Sequence, residues 1–154
     1  MKSVVVYHSK YGSTREYAEW IGAETGAEVV ALKEAGKKDF SAYDVVAFGG
    51  PFYAGKLKIA EFVTRVAPGL SGKRLAFFAV TARPAGDAGI VTDYERAVPE
   101  ELRKTMRFFA LPGRLRFASL NVVERGVMKM MKAKEFDRGS KEEAGELVKY
   151  LREG

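Results

Sequence analysis

The stretch Val4-Val5-Val6-Tyr7-His8-Ser9-Lys10-Tyr11-Gly12-Ser13-Thr14-Arg15-Glu16 decides the fold. Its opening is a short apolar, β-branched run, the pattern of a strand buried on both faces, so Lys2 to His8 is expected as a strand. The loop that closes it carries hydroxyls at Ser9, Ser13 and Thr14 and a glycine at Gly12, and a helical pattern follows at once. At a helix start the free N–H groups and the positive end of the helix dipole both face an anion. A hydroxyl-rich loop there suits a terminal monophosphate, which offers several oxygens to be satisfied together. The loop has no Gly-Lys-Ser/Thr and no three-glycine dinucleotide fingerprint. Ser13 and Glu16 also have the Ser-x-x-Glu spacing of a capping box, which needs no ligand. The rest of the chain has to decide between the two.

Outward from this stretch, strands alternate with helices. The first helix places Tyr17, Trp20 and Ile21 on one face and is expected to end near Gly26. Strands are expected at Glu28 to Leu32, at Asp44 to Phe48 before Gly49-Gly50-Pro51, and at Leu75 to Val80. Ile59, Phe62, Val63 and Val66 follow helical spacing, stopped by Pro68-Gly69. Thr81 to Thr92 reads as a loop and Tyr94 to Lys104 as a helix that Pro99 makes irregular. Arg107 to Ala110, broken at Pro112-Gly113 and resuming at Leu115 to Leu120, reads as an interrupted fifth strand. A helix capped by Asn121, with Glu124 three residues on, should follow. The last helix should open at Ser140 with Glu143 as a capping box and bury Ala144, Leu147, Val148 and Leu151. Five such alternations imply one α/β domain over residues 1–154. It is a three-layer sandwich with helices on both faces of a five-stranded parallel sheet. With strand order 2-1-3-4-5, ligands would sit at the carboxyl ends of the strands, where the order reverses between the first and third.

The 154 residues are 47% hydrophobic, enough for a proper core. No apolar run reaches the length of a membrane span, and the chain enters a strand almost at once, so no signal peptide and a cytoplasmic location are expected. Cysteine is absent and histidine occurs once, which argues against a zinc or iron–sulfur centre. Any redox chemistry would then need a bound organic cofactor. Glutamine is also absent and asparagine occurs once, at Asn121. With many Lys, Arg and Glu, that is the bias of a thermophile. The net charge of +6 is uneven: residues 103–138 hold ten basic and three acidic side chains, a local +7, and the remainder carries −1. Such a segment speaks about partners more than about fold.

Three loops should converge at the sheet edge. The first runs through Ser9, Lys10, Tyr11, Gly12, Ser13 and Thr14. The second contains Gly50, Pro51, Phe52, Tyr53, Ala54 and Gly55, glycines that permit close backbone approach beside aromatics that could stack on a flat ring. The third contains Thr81, Ala82, Arg83 and Asp87, backbone donors and one cation. A phosphate cradle, an aromatic shelf and a polar clamp together describe a flavin mononucleotide (FMN) site. On these motifs the chain resembles the flavodoxins over nearly its whole length, a likeness that implies non-covalent FMN held by the three loops.

Within that superfamily three stretches are similar to menaquinone-dependent protoporphyrinogen dehydrogenases: Tyr43 through Val63, Phe77 through Pro84, and Gly113 through Met131 with its basic, methionine-rich character. Phe52-Tyr53-Ala54 and Gly49-Gly50-Pro51 depart from that family's usual loop. The resemblance implies an FMN-dependent oxidoreductase. It would pass two electrons from a porphyrinogen-like or other organic donor to a quinone. The alternative is a one-electron carrier for redox protein partners, although carriers of this fold resemble acidic proteins. No side chain stands out as a catalytic acid, base or nucleophile, and His8 reads as a strand-end residue. Along the segment from Arg114 to Lys134, Leu120, Val123, Val127 and Met130 form one helical stripe, and Arg125, Lys129 and Lys132 another. This is either a packed helix with a solvated basic face or a peripheral contact with an anionic membrane at its inner face. No nucleic-acid recognition motif accompanies the basic residues.

Overall fold

Three successive valines cannot be shielded from one side only, because side chains alternate across a strand. Val4, Val5 and Val6 are all buried, Val4 and Val6 in one core and Val5 in the other. The computed structural model describes residues 1–52, 57–83, 86–115, 121–130, 136–137 and 139–153. Within these, β1 (Ser3–Tyr7) leads to α1 (Ser13–Thr25), β2 (Glu28–Ala31), a short α2 (Leu32–Ala35), β3 (Val45–Pro51) and α3 (Ile59–Val66). Then follow β4 (Arg74–Thr81), α4 (Ala88–Ala97), a short α5 (Glu100–Arg103) and β5 (Met106–Pro112). The chain ends through β6 (Arg114–Leu115), α6 (Val122–Met130), β7 (Phe136–Asp137) and α7 (Gly145–Arg152).

The main sheet has the order β2-β1-β3-β4-β5, and all its pairings are parallel, as the alternating pattern requires. One core packs α3, α4 and the segment of Phe40 and Tyr43 on one face; the other packs α1 and α7 on the opposite face. Tyr17 and Ile21 of α1 are fully buried, and α7 buries Leu147 and Leu151. Val148 is only half-buried.

Beyond one-residue shifts at the ends of β1, β2 and β4, four features differ from the sequence reading. The third strand runs on through Gly49, Gly50 and Pro51, because both glycines are packing sites. A Cβ at Gly49 would lie 1.9 Å from the Phe78 ring, and one at Gly50 would lie 2.8 Å from Ile59 Cγ2. The segment expected as a loop to Thr92 is helical from Ala88, where Asp87 accepts a hydrogen bond from Gly89 N–H at 2.7 Å. Its helix stops at Ala97, and Pro99 caps the separate α5. The fifth strand does not resume in the same sheet: β6 pairs antiparallel with β7 in a separate ribbon. Gly113 N–H still donates to Thr81 O at 2.8 Å, and beyond it the chain leaves the sheet; residues 116–120 of the expected strand lie outside the described residues. Finally, the capping-box alternative at Ser13 and the box expected at Ser140 do not form: Gly12, not Ser13, is the N-cap of α1, and Ser140 makes no side-chain cap. The box at Asn121 does: Glu124 N–H donates to Asn121 Oδ1 at 2.8 Å, and Asn121 N–H donates to Glu124 Oε1 at 3.2 Å.

The Gly49 contact yields a stability test. Gly49→Ala should cost about 3 kcal/mol by overpacking, read as a lower urea midpoint with an unchanged slope. Combining it with Phe78→Leu should recover part of the loss relative to the two single changes added together.

Candidate functional site

The strand ends are staggered. Tyr7 closes β1 level with Gly49, whereas β3 and β4 run on together to Pro51 and Val80. Two extra residues at about 3.3 Å each leave a step of roughly 7 Å, and the loop after β1 sits in that notch. There Ser9 Oγ accepts from Gly12 N–H at 3.0 Å. Gly12 has φ 93°, the left-handed region that glycine enters without penalty. Its carbonyl takes the Glu16 N–H at 3.0 Å, which starts α1 and leaves the first-turn amides without intrahelical acceptors. Thr14 is buried, and its Oγ1 has no hydrogen-bond partner among the described residues. An enclosed hydroxyl of this kind costs free energy unless something satisfies it. A left-handed turn, unmatched amides and an orphan hydroxyl at one helix start fit a phosphate monoester, such as the one on FMN.

Lys10 and Tyr11 of the same loop point elsewhere. Lys10 Nζ is 2.9 Å from Glu124 Oε2, and Tyr11 donates its hydroxyl to the same carboxylate. Glu124, which sequence reading took only as a cap, therefore ties the loop to α6. That helix exposes its apolar residues: Val122, Val123, Val127 and Met130 are 84, 75, 46 and 86% exposed. The expectation of a packed stripe does not hold at Val123, Val127 and Met130; Leu120 and Lys132 lie outside the described residues. At about 100° per residue, Arg125 and Lys129 fall opposite the apolar stripe.

The other two loops are brought to the same edge with different roles from those expected. Gly50 and Pro51 belong to β3. Phe52 is half-buried against the core, and its N–H extends the ladder to Val80 O at 2.9 Å. Tyr53, Ala54 and Gly55 lie outside the described residues. Thr81 is the buried end of β4, its Oγ1 accepting from Arg83 N–H at 3.1 Å. Ala82 is exposed beside it, and Asp87 caps α4. Arg83 Nη2 stands 2.8 Å from Oδ2 of Asp93, whose side chain is 9% exposed, with Arg96 at 3.8 Å on the other oxygen. Oδ2 lacks an aligned hydrogen bond, so the contact is ionic. The sequence offers no periodic signal for Asp93; only its position one turn before Arg96 hints at a pairing role.

Tyr17 of α1 donates its hydroxyl to Pro112 O, fixing the phosphate-loop helix to the point where the chain leaves the sheet. Burial pushes that phenol up to about 12, so it stays a donor throughout the physiological range. On the far side of the loop an open cleft of about 610 Å³ lies over the ends of β1 and β2. His8 stands in its wall, held below its ordinary value of 6.5 by burial first and by the charge of Lys58 second. A base held down in this way binds fewer protons folded than unfolded. Its contribution to stability is present above pH 6.5 and is lost as pH falls through the window beneath it. The cleft was not legible in sequence, because Lys33 and Lys58 are remote from the loop along the chain.

Because Arg83 balances a nearly buried carboxylate, Arg83→Ala should destabilise the fold by about 1–3 kcal/mol, the lower end applying because Arg96 remains near Asp93. Urea unfolding of Arg83→Ala, Asp93→Ala and the double variant should give a double-mutant coupling well above zero. Strict additivity would show that the pair contributes nothing.

Comparison with known proteins agrees with this fold. The profile of the family described as Flavodoxin domain matches residues 4–142. No curated protein matches the sequence. Among solved structures, the chain is similar to oxidised Flavodoxin 2 from Bacillus cereus, with TM-score 0.60 and 15% identity over 98% of this chain and 97% of that one. It is similar to a flavodoxin from the domain Archaea, with TM-score 0.52 and 18% identity over 97% and 99% of the two chains. A flavoprotein in complex with FMN from Lactobacillus acidophilus NCFM gives TM-score 0.50 and 17% identity over 72% and 91%. At these identities the structures speak for the fold alone. The profile match covers most of the chain, from the first valines to the start of the last helical segment, and on that ground the chain belongs to the flavodoxin family.

Proposed function

We propose that the chain binds FMN and acts as a two-electron oxidoreductase, taking electrons from a porphyrinogen-like or other organic donor and delivering them to a quinone. The observation that carries the cofactor is the orphan Thr14 hydroxyl beside the Gly12 turn. Family membership and the FMN held by the Lactobacillus acidophilus flavoprotein on this fold support it. FMN supplies the electron chemistry when bound, and the protein supplies position and electrostatics. Ser9, Gly12, Ser13 and Thr14 would hold the phosphate. Gly50, Pro51 and Thr81 stand at the strand ends that would flank the ring, and Tyr53 is the candidate stacking residue. Arg83 presents a matched ion pair rather than a free cation, so its pull on the ring potential is weaker than an unpaired charge would exert.

The quinone half rests on the resemblance to protoporphyrinogen dehydrogenases and on α6. The helix is joined to the phosphate loop through Glu124 and leaves an apolar stripe uncovered, a surface suited to a lipid-soluble acceptor or the membrane that contains it. No helix among the described residues is long and apolar enough to cross a membrane, so such contact would be peripheral. The resemblance to flavodoxins supports a second reading, electron carriage between redox proteins; the net charge of +6 stands against it.

Thr14→Val keeps the side-chain shape and removes the orphan hydroxyl. It should stabilise the cofactor-free protein by about 1 kcal/mol and weaken FMN binding by about 1.5–3 kcal/mol. Riboflavin, without the phosphate, should bind wild type and variant alike; equal affinity of wild type for riboflavin and FMN would remove the phosphate assignment. For the activity, porphyrinogen oxidation by the FMN-loaded protein should be supported by a lipid-soluble quinone in anionic vesicles and should fall as salt rises. Turnover that requires a redox protein and ignores the quinone would instead establish the carrier.

A further inference from the structure

Apart from Ser9 and Gly12, the residues that line the cleft over β1 and β2 are not used by the flavin reading. It opens beside the phosphate loop and shares a wall with it, since Ser9 and Gly12 line both. Its basic lining comes from three elements: His8 and Arg15 flank the loop, Lys33 stands on α2 and Lys58 just before α3. Among the described residues no acidic side chain lines it. Arg15 is matched by Glu19 at 2.9 Å, and no ion pair among the described residues holds Lys33 or Lys58. Half-buried Tyr7, Ala31 and Leu32 supply apolar surface. The volume of about 610 Å³ falls within the usual range for small-molecule sites, about 300–1,000 Å³.

We propose that this cleft is a second phosphate site, contiguous with the phosphate loop, that takes a nucleotide: an organic phosphate between Lys33 and Lys58 with its flat base on the apolar surface of Leu32 and Ala31. Lys33 and Lys58 are both exposed at the cleft, so their ammonium groups are open to an entering anion. A phosphate seated there gains charge-assisted hydrogen bonds from them. The base then covers surface that water wets poorly. The nucleotide has two possible sources. It is the adenylate half of a flavin dinucleotide whose flavin half occupies the loop, an arm that rests on the flavin reading, or it is a free nucleotide that binds on its own.

The single histidine of the chain makes the test direct, because its imidazole resonances report on the cleft without ambiguity. Arg15, Lys33 and Lys58 are the charged groups that share the cleft with His8, so an anion seated there raises the His8 pKa. The FMN-loaded protein, in a buffer free of phosphate, is titrated with ADP. The expected result is saturable movement of the His8 resonances, a pKa shifted upward, and loss of both in Lys33→Glu/Lys58→Glu, whose FMN affinity stays at the wild-type value. In parallel, cofactor-free protein is titrated with FMN and with flavin adenine dinucleotide (FAD). If the cleft serves a dinucleotide, FAD binds at least as tightly as FMN and the double charge reversal weakens FAD alone, by about tenfold or more. If ADP binds while FAD does not, the cleft serves a free nucleotide. His8 resonances unmoved by ADP at millimolar concentration, with FAD binding indifferent to the double variant, would overturn the proposal. FMN binding, measured separately, would then still stand or fall on Thr14.

Discussion

Everything in this molecule follows from a parallel sheet that must be dry on both faces. Parallel strands need a crossover between each pair, and the crossovers become the layers that cover the sheet. Strand β4 is buried from Leu75 to Thr81, and β3 is buried from Val45 to Gly50. With both faces sealed, polar chemistry is expelled to the edges where strands end. The order reversal between β1 and β3 then decides which edge is open. The phosphate-type loop sits in the step between Tyr7 and Pro51, where the first-turn amides of α1 have no intrahelical acceptors.

The same constraint explains what could be read from the chain and what could not. Strand number and direction were legible because β-branched runs alternate with helical spacing, and both signals are local; the order was that of a common doubly wound sheet. The first loop was legible because hydroxyls and a glycine between a strand and a helix have few other uses. The glycines of β3 were misread, since their reason is remote: Gly49 makes room for Phe78 on the neighbouring strand, and Gly50 makes room for Ile59 on α3. No spacing rule within residues 49–55 carries that information. Arg83 was read as the cation of a polar clamp because its partner Asp93 lies on the next helix, which itself began earlier than expected. The end of β5 was read as an interruption in one strand. Pro112 and Gly113 instead mark the exit from the sheet into a ribbon whose second strand comes more than twenty residues later.

The basic segment shows how composition can point to a region without defining its shape. Local charge marked residues 103–138, and helical spacing marked α6 within them. Neither could show that the apolar stripe would be left uncovered, because burial depends on whether another element arrives to cover it. The capping box at Asn121 and Glu124 was visible, yet the carboxylate's second task was not. Reading a residue as a cap accounts for one of its two oxygens.

That second oxygen has a thermodynamic consequence. Glu124 Oε2 is shared by Lys10 and Tyr11 of the loop, so the loop and α6 draw on one carboxylate. An anion in the loop that drew on the ammonium of Lys10 would compete with Glu124 for it. Whatever Lys10 gives to one, it withholds from the other. Reciprocity then holds in both directions: a ligand that loosens α6 by drawing off Lys10 is itself held more tightly when α6 is displaced, by the same factor. A single ion pair at the mouth of the sheet would then make the occupancy of the loop and the posture of an exposed apolar helix two readings of one equilibrium.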